Sequence, residues 1–139
     1  MPSDLVGALA PALTTIRLSL HVLAATIWVG GQFTVAGLLP TLRKLGPDAP
    51  RTVARAFARL EWPAFVVLIL TGIWNVSDAK HQPSSWSAVL GAKIAIVLIA
   101  GIAAIAHSHA KNKKSVAFYG ALSGISSILA VVLGVLLAG

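Results

Sequence analysis

Apolar positions gather along the chain into four long runs separated by short polar and basic stretches. From Leu18 to Leu42 no residue carries a fixed charge, and a run of that length exceeds the roughly 20 residues a helix needs to cross the hydrocarbon layer. Pro40 is expected to close this first span. The second run, Trp62 to Ser77, is short for a crossing and borrows a turn from residues 57–60 or crosses without tilt. A third covers Trp86 to His107 with Lys93 inside it, and a fourth begins near Val116 and continues to the end of the chain. The pattern predicts an all-α integral membrane four-helix bundle, one domain over residues 1–139. No Lys or Arg precedes Arg17, so the first run lacks the basic leader of a signal peptide and is also too long for one.

Between the first two spans, Pro47 and Pro50 precede a segment in which Arg51, Arg55 and Arg59 recur every four residues, opposite Val53, Ala54, Phe57 and Leu60. This spacing predicts a short amphipathic helix on the inner leaflet, its basic stripe facing anionic headgroups. A solvated helix face with no lipid role has the same pattern. Composition agrees with a membrane setting: 57% of the residues are hydrophobic and 11% charged, against about 25% charged in a soluble domain. Eleven Lys and Arg against four Asp and Glu give a net charge of +7. Eight of those cations are Arg43, Lys44, Arg51, Arg55, Arg59, Lys111, Lys113 and Lys114, in the loops after the first and third spans. The positive-inside rule places those loops in the cytoplasm and both termini outside. With the basic residues accounted for in this way, no nucleic-acid partner is expected. Trp62, Trp74 and Trp86 fall near span ends, where aromatic side chains favour the membrane interface, whereas Trp28 lies within a span. There is no cysteine, and the one methionine is Met1, so thiolate ligands, disulfides and thioether arrays are excluded.

Ionisable groups within spans are costly and point to function. His21 and Lys93 qualify, and His107 does so less deeply. Helical spacing puts Arg17, His21, Trp28 and Gln32 on one face of the first helix, Glu61, Phe65, Leu68, Gly72 and Asn75 on one face of the second, and Lys93, Val97, Ala100, Ala104 and His107 on one face of the third. Ser123, Ser126 and Ser127 give the fourth a weaker polar side, and Gly120 and Gly124 are spaced for close helix approach. At a rise of 1.5 Å per residue, His21 is about 10 Å and Lys93 about 8 Å below the outer surface, while His107 is about 28 Å deep. His21 and Lys93 can therefore be neighbours, flanked by Trp28, Asn75 and Asp78. One metal shared by His21 and His107 is disfavoured. Neutral imidazole suits copper or haem iron, and a buried Lys can act as ligand, base or proton carrier. The structural alternative has Lys93 snorkelling to the headgroups or paired with Asp78, with His21 hydrogen-bonded in the core. A second, weaker site groups Glu61 with His107 or His109 near the inner face, as a proton-carrying or purely structural cluster.

The run His21-Val-Leu-Ala-Ala-Thr-Ile-Trp28-Val-Gly30-Gly31, followed by Leu39-Pro40-Thr-Leu-Arg43, resembles the first helix of the CopD-like (copper resistance protein D) membrane proteins. Thr71-Gly72-Ile-Trp74-Asn75 and Leu90-Gly91-Ala92-Lys93-Ile94 are similar to later helices of that group. The order His21 then Trp28, Arg59-Leu60-Glu61, Lys93 then His107 also resembles the HemJ-type protoporphyrinogen oxidases. The second resemblance implies a b-type haem associated with His21 and Lys93. The first implies copper handling, although this chain lacks the soft Cys and internal Met ligands that favour Cu(I).

The leading expectation is thus a redox-active metal centre, haem b, with His21 as axial ligand and Lys93 as second ligand or charge-controlling group. Trp28, Asn75 and Arg17 complete the cofactor-binding set, for electron transfer or haem-dependent oxidation of a membrane-accessible substrate. The alternative is copper transport or resistance along the same polar stripe, and a third reading is an accessory subunit of a membrane complex. Expected partners are the lipid bilayer, anionic lipids at the basic loops, and a second copy of the chain or a redox protein. The resemblance implies the bacterial inner membrane.

Overall fold

The computed structural model describes residues 3–139, and these are helical apart from short connections at 46–48, 79–83 and 110–112 and the last residue, with no strand among them. The elements are α1 (Ser3–Ala25), a π-helical turn (Thr26–Gly30), α2 (Gly31–Leu45), α3 (Ala49–Asp78), α4 (Ser84–His109) and α5 (Lys113–Ala138). Four helical stretches are long and apolar enough to cross a membrane: Gly7–Leu45, Ala49–Asp78, Ser84–His109 and Lys113–Ala138. The chain is therefore a multi-pass membrane protein by length and composition of its helices. It divides into two compact units, the first ending at Lys80 and the second His81–Gly139.

In the first unit, α1, the π turn and α2 form one uninterrupted helical run that packs against α3. The stretch Gly7–Leu45 rises about 58 Å, nearly twice the hydrocarbon thickness of about 30 Å. Pro40 does not close it. It lies inside α2, because a missing backbone donor in a membrane helix is compensated locally. The run ends instead at Gly46, whose φ of 149° is open only to glycine, with Pro47 next.

The separate short amphipathic helix expected between the first two spans is likewise replaced by a continuous element. Pro50 opens α3 in its first turn, no glycine intervenes before Gly72, and Pro63 is absorbed within the helix. Arg51, Arg55 and Arg59 are exposed on the opening turns of α3, while Val53 and Phe57 are half-buried. Ala54 and Leu60, the other two apolar positions of that pattern, are exposed, and the whole segment belongs to the long helix.

The close approach of α2 to α3 depends on Gly31. A Cβ at this position would fall on the edge of the Phe57 ring, well inside contact distance. The π turn just before it widens the helix by one residue and carries Trp28, which is 3% exposed.

The second unit is an antiparallel hairpin of α4 and α5. Ala100, Gly101 and Ala103 are buried on α4, and Ser123, Ser126 and Ser127 on α5. Ser123 donates its hydroxyl to the Ala100 carbonyl at 3.1 Å. At one end the Trp86 indole donates to the Leu137 carbonyl at 3.3 Å, and at the other His107 Nδ1 donates to the Val116 carbonyl at 2.9 Å. Small side chains thus bring the backbones together, and the buried Ser123 hydroxyl is satisfied across the hairpin. Asn112 caps α5, its side-chain oxygen accepting from the Ser115 amide at 2.8 Å. Asn112→Ala is expected to cost about 1 kcal/mol. Faster hydrogen exchange at the Ser115 amide, with the rest of α5 unchanged, is the corresponding observation.

Candidate functional site

The polar stripe read along the first helix meets α3 at successive levels. Arg17, His21, Trp28 and Gln32 all engage side chains of that helix, and their partners run in the opposite direction, Asp78, Thr71, Phe65 and Glu61. A 3.6-residue period therefore selects the buried face correctly.

Arg17 is 8% exposed and pairs through Nη1 with the Asp78 carboxylate. Its guanidinium carbon lies 5.8 Å over the Trp74 ring, a cation–π contact. Asp78 remains 55% exposed at its side chain, so the pair sits at a boundary between protein interior and surroundings. The expected alternative of an Asp78 partner for Lys93 gives way to Arg17. Arg17 Nε and Asn75 Oδ1 are both buried without a hydrogen-bond partner.

One turn further along α1, His21 is half-buried and its Nδ1 lies 2.7 Å from Thr71 Oγ1. Thr71 is 5% exposed and its hydroxyl is committed as a donor to the Val67 carbonyl at 2.6 Å. One hydroxyl proton cannot be given twice, so Thr71 Oγ1 accepts from His21 Nδ1–H. The neutral ring then carries its lone pair on Nε2. The ring also lies beside Gly72, where a Cβ would stand at ordinary contact distance, 3.7 Å from Cε1. Thr71 is not among the expected site residues, being one position away from the stripe that runs through Leu68, Gly72 and Asn75.

Trp28 is packed by aromatic neighbours, with ring centroids 4.3 Å from Phe65 and 5.8 Å from Trp62. Trp62, expected at the membrane interface, is part of this aromatic cluster. Glu61 is half-buried and hydrogen-bonded to Gln32.

Lys93, His107 and His109 belong to the second unit. The Lys93 ammonium lies over Gly134 of α5, where a Cβ would stand 2.9 Å from Nζ. His107 packs its ring on Gly120, with 3.1 Å from Cε1 to a Cβ built there, and is exposed. His109 is exposed and donates from Nδ1 to the Ile105 carbonyl at 2.9 Å. Both histidines thus use Nδ1 on backbone carbonyls at the α4 end.

Among the described residues, no three His, Cys, Asp or Glu side chains cluster as a metal-ion site. The donor chemistry that is present in the first unit is a single imidazole held by its far nitrogen. This fits one axial position of a haem iron or one ligand of a copper ion, and metal-bound histidines are commonly oriented by such a bond from the other ring nitrogen. Comparison of the chain with known protein families, with curated proteins and with solved structures finds no match.

Proposed function

We propose that this chain is a multi-pass protein of the bacterial inner membrane whose first unit holds a redox-active metal centre, haem b, on His21. The observation that carries this reading is the 2.7 Å contact between His21 Nδ1 and Thr71 Oγ1. Thr71 Oγ1 donates to the Val67 carbonyl and accepts a hydrogen bond from His21 Nδ1–H, which restrains the ring and makes Nε2 its electron-pair donor. When bound, haem supplies one-electron redox chemistry whose potential depends on its axial ligand and burial. The protein's contribution is to present the imidazole from a membrane helix with the correct nitrogen deprotonated. The chemistry served is electron transfer or oxidation of a membrane-accessible substrate.

In the same reading, both termini face the outside. The exposed cations Arg43, Lys44, Arg51, Arg55 and Arg59, with Lys111, Lys113 and Lys114, face anionic lipids of the cytoplasmic leaflet.

The test is the visible absorption spectrum of the full chain purified from cells supplied with haem precursor. A Soret band that disappears in His21→Ala is the expected result. No band, or a band unchanged by His21→Ala, overturns the haem assignment. Stoichiometric copper without haem on metal analysis would replace it with copper handling.

A further inference from the structure

Within the first unit, α1 runs past the end of the helix it packs on. Its pairing with α3 reaches a last level at Arg17 and Asp78, where α3 ends, and residues 3–16 continue beyond for about 20 Å. The geometry points to this overhang, with the face that continues from it down α1, as a coiled-coil seam for a second copy of the chain. A dimer of this kind does not depend on a metal at His21.

Placement in the membrane gives the first reason. The exposed Arg51 and Asp78 are separated by a rise of about 40 Å along α3, which matches the roughly 40–45 Å of a bilayer with its headgroups. With α3 filling the membrane, residues 3–16 of α1 stand in water. Leu5, Leu9, Leu13 and Ile16 are nevertheless 47–53% exposed there, and no charged residue lies between Leu5 and Ile16. A helix of this length is marginal in water by itself. Lipid tails end below it, so its leucines need a protein surface.

The spacing identifies that surface. Leu9, Leu13, Ile16, Leu20, Leu23 and Ile27 follow one another at intervals of 4, 3, 4, 3 and 4. This is the heptad seam of a coiled coil, with Leu9, Ile16 and Leu23 at d and Leu13, Leu20 and Ile27 at a. All six are exposed, at 42–61%. From Gly7 to Ile16 the first three are the only residues larger than threonine or proline, so that part of the overhang has a single bulky stripe. The stripe lies about a quarter-turn round the helix from Arg17, His21 and Trp28, which leaves α3 in place when another helix docks.

Topology and charge then select a second copy. Loop charge gives every copy the same orientation in one membrane, so a two-fold axis along the membrane normal sets two α1 helices parallel and in register, Leu9 against Leu9 and Ile16 against Ile16. The flanks raise no barrier. Ala10, Ala12, Ser19, Ala24 and Thr26 are small and uncharged, and Arg17, the one ion beside the seam, is paired with Asp78 of its own copy. Within lipid, apolar side chains gain little by exchanging tails for a neighbour. The driving force is therefore concentrated in the layers Leu9, Leu13 and Ile16, beyond the headgroups.

The experiment is disulfide cross-linking of single-cysteine variants of the full chain, which has no cysteine of its own, in liposomes at high lipid dilution with helicity checked by circular dichroism. Leu9→Cys, Leu13→Cys and Ile16→Cys should each give a covalent dimer under mild oxidation. Ala8→Cys and Thr15→Cys, in the same overhang but off the stripe, should not. In energy transfer between labelled copies, Ile16→Ala should raise the dimer dissociation constant by about tenfold or more, and Leu23→Ala, within the lipid, by less. Equal cross-linking at all five positions, or none at the seam, overturns the dimer. A monomer whose Leu9→Cys and Ile16→Cys thiols resist a water-soluble maleimide overturns it in favour of cover from within the chain. Quenching of Leu9→Trp emission by brominated lipid tails overturns it in favour of the bilayer. If the alanine variants do not fold, the pattern of cross-links decides the question.

Discussion

Gly31→Ala is expected to destabilise the first unit by about 1–2 kcal/mol, and the sign of the effect should reverse when Phe57 is shortened. Two terms compete at this position. Replacing glycine by alanine inside a helix ordinarily stabilises it by about 1 kcal/mol, through helix propensity. The added Cβ, however, falls on the Phe57 ring, and overpacking of a tight contact costs about 1–3 kcal/mol. With Phe57 present the steric term wins. In a Phe57→Ala background it vanishes, and Gly31→Ala should then stabilise by up to about 1 kcal/mol. At Gly37, also in α2, an added Cβ would meet nothing within 4 Å, so Gly37→Ala isolates the propensity term. Unfolding of the unaltered chain, the two single variants and the double variant in mixed micelles, followed by helix loss, gives the double-mutant cycle. A coupling energy near zero would mean that α2 and α3 do not touch at Gly31 and Phe57.

The same residues show what a reading of the sequence can and cannot reach. Long apolar runs are long-range features, and they locate all four membrane helices, the third despite Lys93 within it. Helix ends are local, and there the expectations fail at prolines. Pro40 is expected to close the first span, yet it lies inside α2, as Pro63 lies inside α3. In lipid the cost of leaving the helix exceeds the cost of one lost backbone bond. The basic segment 51–60 consequently reads as a separate surface helix when it is the start of α3. The π turn at Thr26–Gly30 lies inside what the sequence reads as one continuous apolar run.

At the site, the buried face is legible and the pairings are not. Spacing alone selects Arg17, His21, Trp28 and Gln32, and each meets α3. Spacing within one helix carries no information on the register of its neighbour, so it misses Thr71 and offers Asp78 to Lys93 rather than to Arg17. An antiparallel argument finds the second pairing. Arg17 lies near the start of one span and Asp78 at the end of the next, which brings them to the same end of a helix pair. Thr71 is harder to find, since a β-branched residue in an apolar run reads as packing surface until its hydroxyl is seen to have a ring across from it.

That hydroxyl is the most informative atom to remove. If His21 binds haem as proposed, Thr71→Val should lower haem affinity of the full chain by about 10–100-fold, the usual consequence of removing the partner that orients a metal-bound histidine. By the tenfold-per-1.4 kcal/mol relation this is about 1.4–2.8 kcal/mol, comparable to the cost of leaving one buried donor unsatisfied. The valine keeps the shape of threonine but offers no acceptor to His21 Nδ1–H, so the ring loses both its restraint and the preference for a lone pair on Nε2. Thr71→Ser restores the acceptor and should restore affinity. Haem titration of the apoprotein, with the Soret position recorded in each variant, separates this role from simple packing. A packing role would lower thermal stability in both variants while leaving affinity and band position as they were. Equal affinity in Thr71→Val and the unaltered chain would mean that the Thr71 bond does not orient a ligand, and would remove the observation on which the metal centre rests.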